Sequence, residues 1–241
     1  MQLDRFSLWL FDMDGLLVDT EHLHLLAYQN ICKNRGGHLP WTLEQFLQIA
    51  HKSSSALKEE LYELFPQFRK ISWNTLYAEK KEEYLKCLQV QTLKAMPGAQ
   101  LIVSLALELG VIACVVTHSP KQQTEIIRQK LPFLDQIPHW ITREDYERAK
   151  PDPQCYKKAI DRFTSGGSPP HRVIGFEDSA RGLLALMGTA SQAVLVANTH
   201  YPQLDAYKGR FYSVKSFLEL LKQQQKLPIS IEMALEQLHA S

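Results

Sequence analysis

Among the 241 residues, the first segment able to do chemistry is Asp12-Met13-Asp14-Gly15, which follows the apolar run SLWLF directly. Residues i and i+2 of an extended segment point to one side, so the carboxyl groups of Asp12 and Asp14 converge. Two close carboxylates repel and need a cation or a shared proton. A hard cation with oxygen ligands fits, and Mg2+ is the natural choice where a phosphate is also bound. The pair also suits covalent chemistry, in which one carboxylate attacks and the other moves protons. A strand-ending Asp-Gly turn would show the same residues.

Three further segments complement the first. Glu177-Asp178 ends the apolar run HRVIGF, and Ser179 is placed to cap a following helix. Acids at a helix start are the plainer reading, but two strands delivering acidic pairs to one edge strengthen the metal reading. Thr117-His118-Ser119 ends VIACVV ahead of a helix. There a hydroxyl and backbone N–H groups either bind phosphate or cap the helix. Lys150 precedes Pro151-Asp152-Pro153, whose restricted backbone fixes where the lysine stands. A cation beside a nucleophile offsets clustered negative charge; a solvated surface lysine would have the same sequence.

The elements that must position these residues alternate. SLWLF, VIACVV, HWIT, HRVIGF and QAVLVA read as strands, with RFYSV a further candidate. Helical patterns lie between them, GAQLIVSLALELG, SPKQQTEIIRQKL, PDPQCYKKAIDRF and SARGLLALM, with SFLELLKQQQ and the tail PISIEMALEQLHAS after. Strands alternating with helices predict βαβ units and a parallel sheet. The stretch from EHLHLLAYQNICKN to about residue 90 reads as helices throughout, broken at Gly36-Gly37, Pro66 and Ser72. The reading is therefore an α/β body over residues 1–18 and 92–241, with an α-helical insert over 19–91. An insert at the carboxyl end of a strand sits where ligands bind in open α/β sheets, and would act there as a lid.

Composition sets the outer limits. Lys plus Arg is 27 and Asp plus Glu is 26, a net charge of +1, which argues against nucleic acid as a partner. It leaves room for a small phosphorylated ligand. No stretch is long and apolar enough to span a membrane, and the N-terminus lacks the pattern of a signal peptide. Cys32, Cys87, Cys114 and Cys155 are far apart and form no CxxC pair, so reduced thiols in a cytoplasmic protein are expected. A monomer is expected.

The order DxDG, Thr, Lys-Pro-x-Pro, Glu-Asp-Ser resembles the haloacid dehalogenase-like (HAD) superfamily of phosphohydrolases. FDMDGLLVDTEHLH is similar to its first motif in the branch with an α-helical cap, VVTHS to the second, AKPDPQCY to the third and GFEDSARG to the fourth. The resemblance covers essentially the whole chain and is nearest to the β-phosphoglucomutase-like group and its phosphatase relatives. It implies a Rossmann-like parallel-sheet core with a helical cap, and a Mg2+-dependent phosphatase acting on small phosphorylated metabolites such as sugar phosphates. By that resemblance Asp12 is the nucleophile that becomes an aspartyl-phosphate, and Asp14 the general acid and base. Thr117 holds phosphoryl oxygens, and Lys150 bridges nucleophile and phosphate. Asp178 binds Mg2+ with Asp12 and the main-chain carbonyl of Asp14, and Glu177 is a further or outer ligand. His118 departs from the family pattern, in which small or amide residues commonly follow the second-motif hydroxyl, and its bulk is expected to narrow the phosphate pocket or contact substrate. His24 matches a cap histidine of the mutase, but IAHKSSSALK lacks the arginine and glycine of the mutase cap. The phosphatase reading is therefore preferred over a sugar phosphomutase, and the presence of all of Asp12, Asp14, Thr117, Lys150 and Asp178 favours it over an inactive member serving as a binding module.

Overall fold

The computed structural model describes residues 1–50, 52, 54–164 and 172–240. His51, Ser53, His171 and Ser241, which the sequence reading places in helices or a strand, lie outside the described residues. The chain divides into two compact units, Met1–Asp19 with Lys94–Ser241, and Thr20–Leu93. The two crossings are tied side by side: Val18 bridges to both Asp14 and Ala95, and the Asp19 N–H donates to the Lys94 carbonyl.

In chain order the elements are β1 (Leu8–Phe11), α1 (Glu21–Asn34), α2 (Leu43–Ala50), α3 (Ser54–Leu64), α4 (Trp73–Val90), α5 (Ala99–Glu108) and β2 (Ile112–Val116). Then follow α6 (Lys121–Lys130), β3 (His139–Ile141), α7 (Gln154–Thr164), β4 (Val173–Glu177), α8 (Ala180–Met187), β5 (Gln192–Val196), β6 (Tyr212–Val214), α9 (Phe217–Lys222) and α10 (Ile229–Ala240).

The first unit holds a six-stranded sheet in the order β3-β2-β1-β4-β5-β6, and every pairing is parallel. Every residue of β1 and β4 is buried, as continuous apolar runs in a sheet covered on both faces require. Alternation divides the two faces. Trp9, Phe11 and Phe176 form an aromatic layer with Phe217, and the Phe11 and Phe176 rings stack at 5.1 Å. On the opposite face Leu8, Leu10, Cys114 and Val116 join the core formed with Cys155, Tyr156 and Ala159 of α7 and Leu183 and Leu186 of α8. That second face leads to Asp12 after β1 and to Glu177 at the end of β4. The switch in strand order at β1, between β2 and β4, puts both at the point where open α/β sheets bind ligands.

The second unit packs α1 to α4 around its own core of Leu25, Tyr28, Ile31, Phe46, Leu61, Phe65, Phe68 and Leu76. Ser72 caps α4, its hydroxyl accepting from the Thr75 N–H at 3.1 Å. Among the described residues no helix is long and apolar enough to cross a membrane.

Candidate active site

Asp12 leaves β1 with its N–H donating to the Phe176 carbonyl, so the strand pairing that ends at Phe11 also aims the acid. The chain then turns tightly. Gly15 sits at φ 77°, a left-handed conformation that glycine adopts without strain, and its N–H donates to Val18 O at 2.9 Å. This turn sets Asp14 against the loop after β2. Ser119 Oγ donates to Asp14 Oδ2 at 2.7 Å, and Thr117 Oγ1 lies 3.3 Å from the same oxygen. Thr117 does not cap α6: the residue before that helix is Pro120, and Thr117 Oγ1 instead accepts from the Ser119 N–H at 2.9 Å.

Lys150 is the hub. Its Nζ donates to Asp12 Oδ1 at 2.5 Å, to Glu177 Oε1 at 2.7 Å and to the Val116 carbonyl at 3.0 Å. The Tyr156 hydroxyl lies 3.1 Å from the same ammonium and itself donates to Glu177 Oε1. The lysine side chain is only 4% exposed, so the solvated-lysine reading does not hold. Burial alone would lower its pKa, but the carboxylates of Asp12 and Glu177 hold it well above the ordinary value, so it is a permanent cation.

Asp12 moves the opposite way to most paired acids. Burial, with the nearby charges of Glu177 and Asp14, outweighs the attraction of Lys150 and pushes its carboxyl up to about 8. Asp12, Glu177 and Asp178 are all buried, and each offers a carboxylate oxygen within 4.8 Å of the others. A donor set made of three carboxylates fits a hard divalent cation.

Asp178 stands where β4 gives way to α8. Its carbonyl accepts from the Tyr201 hydroxyl at 2.9 Å, and Ser179 caps the helix through the Gly182 N–H at 3.1 Å. Gly182 is required by space rather than by backbone angle. A Cβ built there would lie 2.0 to 2.2 Å from the Glu177 carboxyl group. We expect Gly182→Ala to displace Glu177 from Lys150, destabilising the fold by about 1–3 kcal/mol and lowering turnover. Denaturant unfolding together with a rate assay checks this, and wild-type values in both would contradict the packing argument.

His118 lies in the Thr117–Ser119 loop, its Nε2 accepting from the Lys150 N–H at 2.8 Å and its ring stacked on Tyr146. His24 belongs to the other unit. There Lys80 Nζ donates to its Nδ1 at 2.6 Å, its ring stacks on Tyr84 at 4.0 Å, and the ammonium lies 4.8 Å from the Tyr84 ring centre.

Sequence reading did not single out Ser119, Tyr156 or Lys80. Ser119 follows Thr117 by the i+2 spacing that had united Asp12 and Asp14. Tyr156, six residues beyond Lys150, and Lys80, four residues before Tyr84, carried no comparable signal.

The family model described as haloacid dehalogenase-like hydrolase matches residues 9–196. The chain is 27% identical over 203 residues to (DL)-glycerol-3-phosphatase 2 of Arabidopsis thaliana, covering 81% of this chain and 80% of that protein. It is 23% identical over 179 residues to the phosphorylated carbohydrates phosphatase of Thermotoga maritima, covering 73% and 78% of the two chains. In fold it is similar to a family IA, variant 3 HAD hydrolase of Entamoeba histolytica, with a TM-score of 0.70 at 22% identity over 95% of this chain and 98% of that one.

Proposed function

The chain belongs to the haloacid dehalogenase-like hydrolases, and from that membership and its phosphatase relatives we propose that it hydrolyses small phosphate monoesters through a phosphoryl group carried on Asp12. Sugar phosphates and compounds of similar size are the substrate class. The observation that carries the reading is one buried ammonium, Lys150, bridging Asp12 and Glu177, with a second aspartate, Asp14, held two residues beyond the first.

In this reading an Asp12 carboxylate oxygen attacks phosphorus while the bond from phosphorus to the substrate oxygen breaks. Asp14 gives its proton to that oxygen, so an alcohol leaves. Asp14, now a carboxylate, takes a proton from water. The resulting hydroxide attacks phosphorus, and inorganic phosphate departs as Asp12 is regenerated. Lys150 offsets the charge that gathers on Asp12 and the phosphoryl oxygens, and the Thr117 hydroxyl and nearby main-chain N–H groups receive those oxygens. Ser119 and Thr117 hold Asp14 by one carboxyl oxygen and so fix its direction.

Mg2+ fits the site: Asp12 and Asp178 would hold it, together with the Asp14 carbonyl that the family resemblance implies, while Glu177 is engaged mainly by Lys150 and Tyr156. When bound, it would neutralise charge on the phosphoryl oxygens.

The direct test is release of inorganic phosphate from p-nitrophenyl phosphate and a panel of sugar, polyol and nucleoside phosphates, with Mg2+ and with a chelator. Mg2+-dependent release is expected, and no release from any of them would reject the reading.

A proton count follows from Asp12. Since its carboxyl is pushed up to about 8, the metal-free protein at neutral pH holds a proton there that an ion must displace. We expect Mg2+ binding to release protons at about pH 7, with affinity rising until pH passes about 8. The unfolded chain loses that proton near 3.8, so between the two values the folded state binds more protons. Stability of the metal-free protein therefore falls as pH rises through that window. Calorimetry in buffers of different ionisation enthalpy checks the first point. The second is checked by comparing unfolding of the wild type with Asp12→Asn, which lacks the titration.

A further inference from the structure

Lys150 is held at both ends by one short segment. Its Nζ donates to the Val116 carbonyl at 3.0 Å, and its backbone N–H donates to His118 Nε2 at 2.8 Å. The segment is itself pinned: the Thr117 N–H donates to Ile141 O at 3.0 Å, and the Tyr146 hydroxyl donates to the Thr117 carbonyl at 2.9 Å. The His118 ring lies against the Tyr146 ring, with centroids 5.9 Å apart and planes 28° apart.

We propose that His118 is a positioning residue, whose Nε2 accepts the Lys150 N–H and so holds the lysine where its ammonium bridges Asp12 and Glu177. This deepens the phosphatase reading and rests on it.

The physical need is plain. A lysine ammonium on a flexible four-carbon stem has many positions open to it, and its placement depends on where its backbone is fixed. Lys150 lies in irregular chain between β3 and α7, outside any ladder or helix that would fix its N–H. The imidazole supplies the missing acceptor from the neighbouring loop, and so couples the loop carrying Thr117 to the one carrying Lys150.

The ring is suited to this. Burial, with the charges of Lys150, Arg181 and Arg143, pushes its pKa down to about 2, so it is neutral at any working pH. A neutral imidazole that accepts through Nε2 carries its proton on Nδ1. Among the described residues no fully buried side-chain nitrogen or oxygen lacks a hydrogen-bond partner. The acceptor role therefore leaves no orphaned polar atom behind it.

The test uses side chains that place an acceptor at different reach. Glutamine carries its amide oxygen near the position of Nε2, asparagine nearer that of Nδ1, and leucine has no acceptor. The readouts are kcat and KM for p-nitrophenyl phosphate and the unfolding midpoint of each variant. We expect His118→Leu and His118→Asn to lower kcat by about 10- to 100-fold with little change in KM, and His118→Gln to recover most of it. Wild-type kcat in His118→Asn, or equal losses in the Gln and Asn variants, would overturn the proposal. Lys150→Met is measured beside them. Full activity in that variant would reject the site reading itself. A dead Lys150→Met with unaltered His118→Leu would overturn only the role of His118.

Discussion

Asp12→Asn folds as the wild type does and loses phosphatase turnover by roughly 10^4-fold or more. The side chain keeps its shape, and an amide oxygen still accepts from Lys150 where the carboxylate accepts at 2.5 Å. Lys150 also keeps its contacts to Glu177, Tyr156 and the Val116 carbonyl. In the metal-free protein at neutral pH Asp12 already holds a proton, its carboxyl being pushed up to about 8, so a neutral amide changes the charge of the site little and little stability is at stake. The chemistry is lost because an amide oxygen is a far weaker nucleophile toward phosphorus and a weaker ligand for a hard cation. Steady-state rates and an unfolding midpoint decide it. A variant retaining more than about a tenth of wild-type turnover would remove Asp12 from the nucleophile's role.

Asp14→Asn has a different signature. Its amide cannot protonate a leaving alcohol or deprotonate water, so turnover of alkyl phosphates falls by about 10^2- to 10^4-fold. An aryl phosphate whose leaving group needs no proton still transfers its phosphoryl group to Asp12. The expected record is a burst of nitrophenolate matching the enzyme concentration, followed by slow hydrolysis. The Ser119 and Thr117 hydroxyls that meet Asp14 Oδ2 have an amide oxygen to meet instead, so the loop after β2 stays in place. Stopped-flow absorbance reads both phases. Fast steady hydrolysis with no burst would assign the proton transfers to another group.

The parts of the fold legible in the sequence were those written in period and punctuation. Buried parallel strands are continuously apolar, so SLWLF, VIACVV and HRVIGF stand out, and each ends at a polar residue that the sheet edge then presents. The short edge strand at Tyr212–Val214 was a weak signal because three residues carry little pattern. The site was legible where two reactive residues share one strand end, as Asp12 and Asp14 do. Convergence between distant segments was not, because it depends on packing. Nothing local in Lys150 states that Tyr156 and Glu177 close around its ammonium, or that His118 receives its N–H. His118 was noticed as a bulky residue after Thr117. Its contact lies 32 residues away in sequence, and spacing carries no information at that distance. Thr117 shows the other kind of gap. A hydroxyl ahead of a helix reads as a cap, yet Pro120 stands next to α6 and the threonine turns to Ser119 and Asp14 instead.

The central claim is a phosphoryl group carried on Asp12. Acid quench of Asp14→Asn during the burst with p-nitrophenyl phosphate and Mg2+, followed by peptide mass spectrometry, measures it directly. The account predicts that the peptide containing Asp12 gains the mass of one phosphoryl group, in an acyl linkage that hydroxylamine cleaves. It predicts no such gain once Asp12 is also changed to Asn. A burst of nitrophenolate with no phosphorylated peptide, or with the phosphoryl group on another residue, would contradict it.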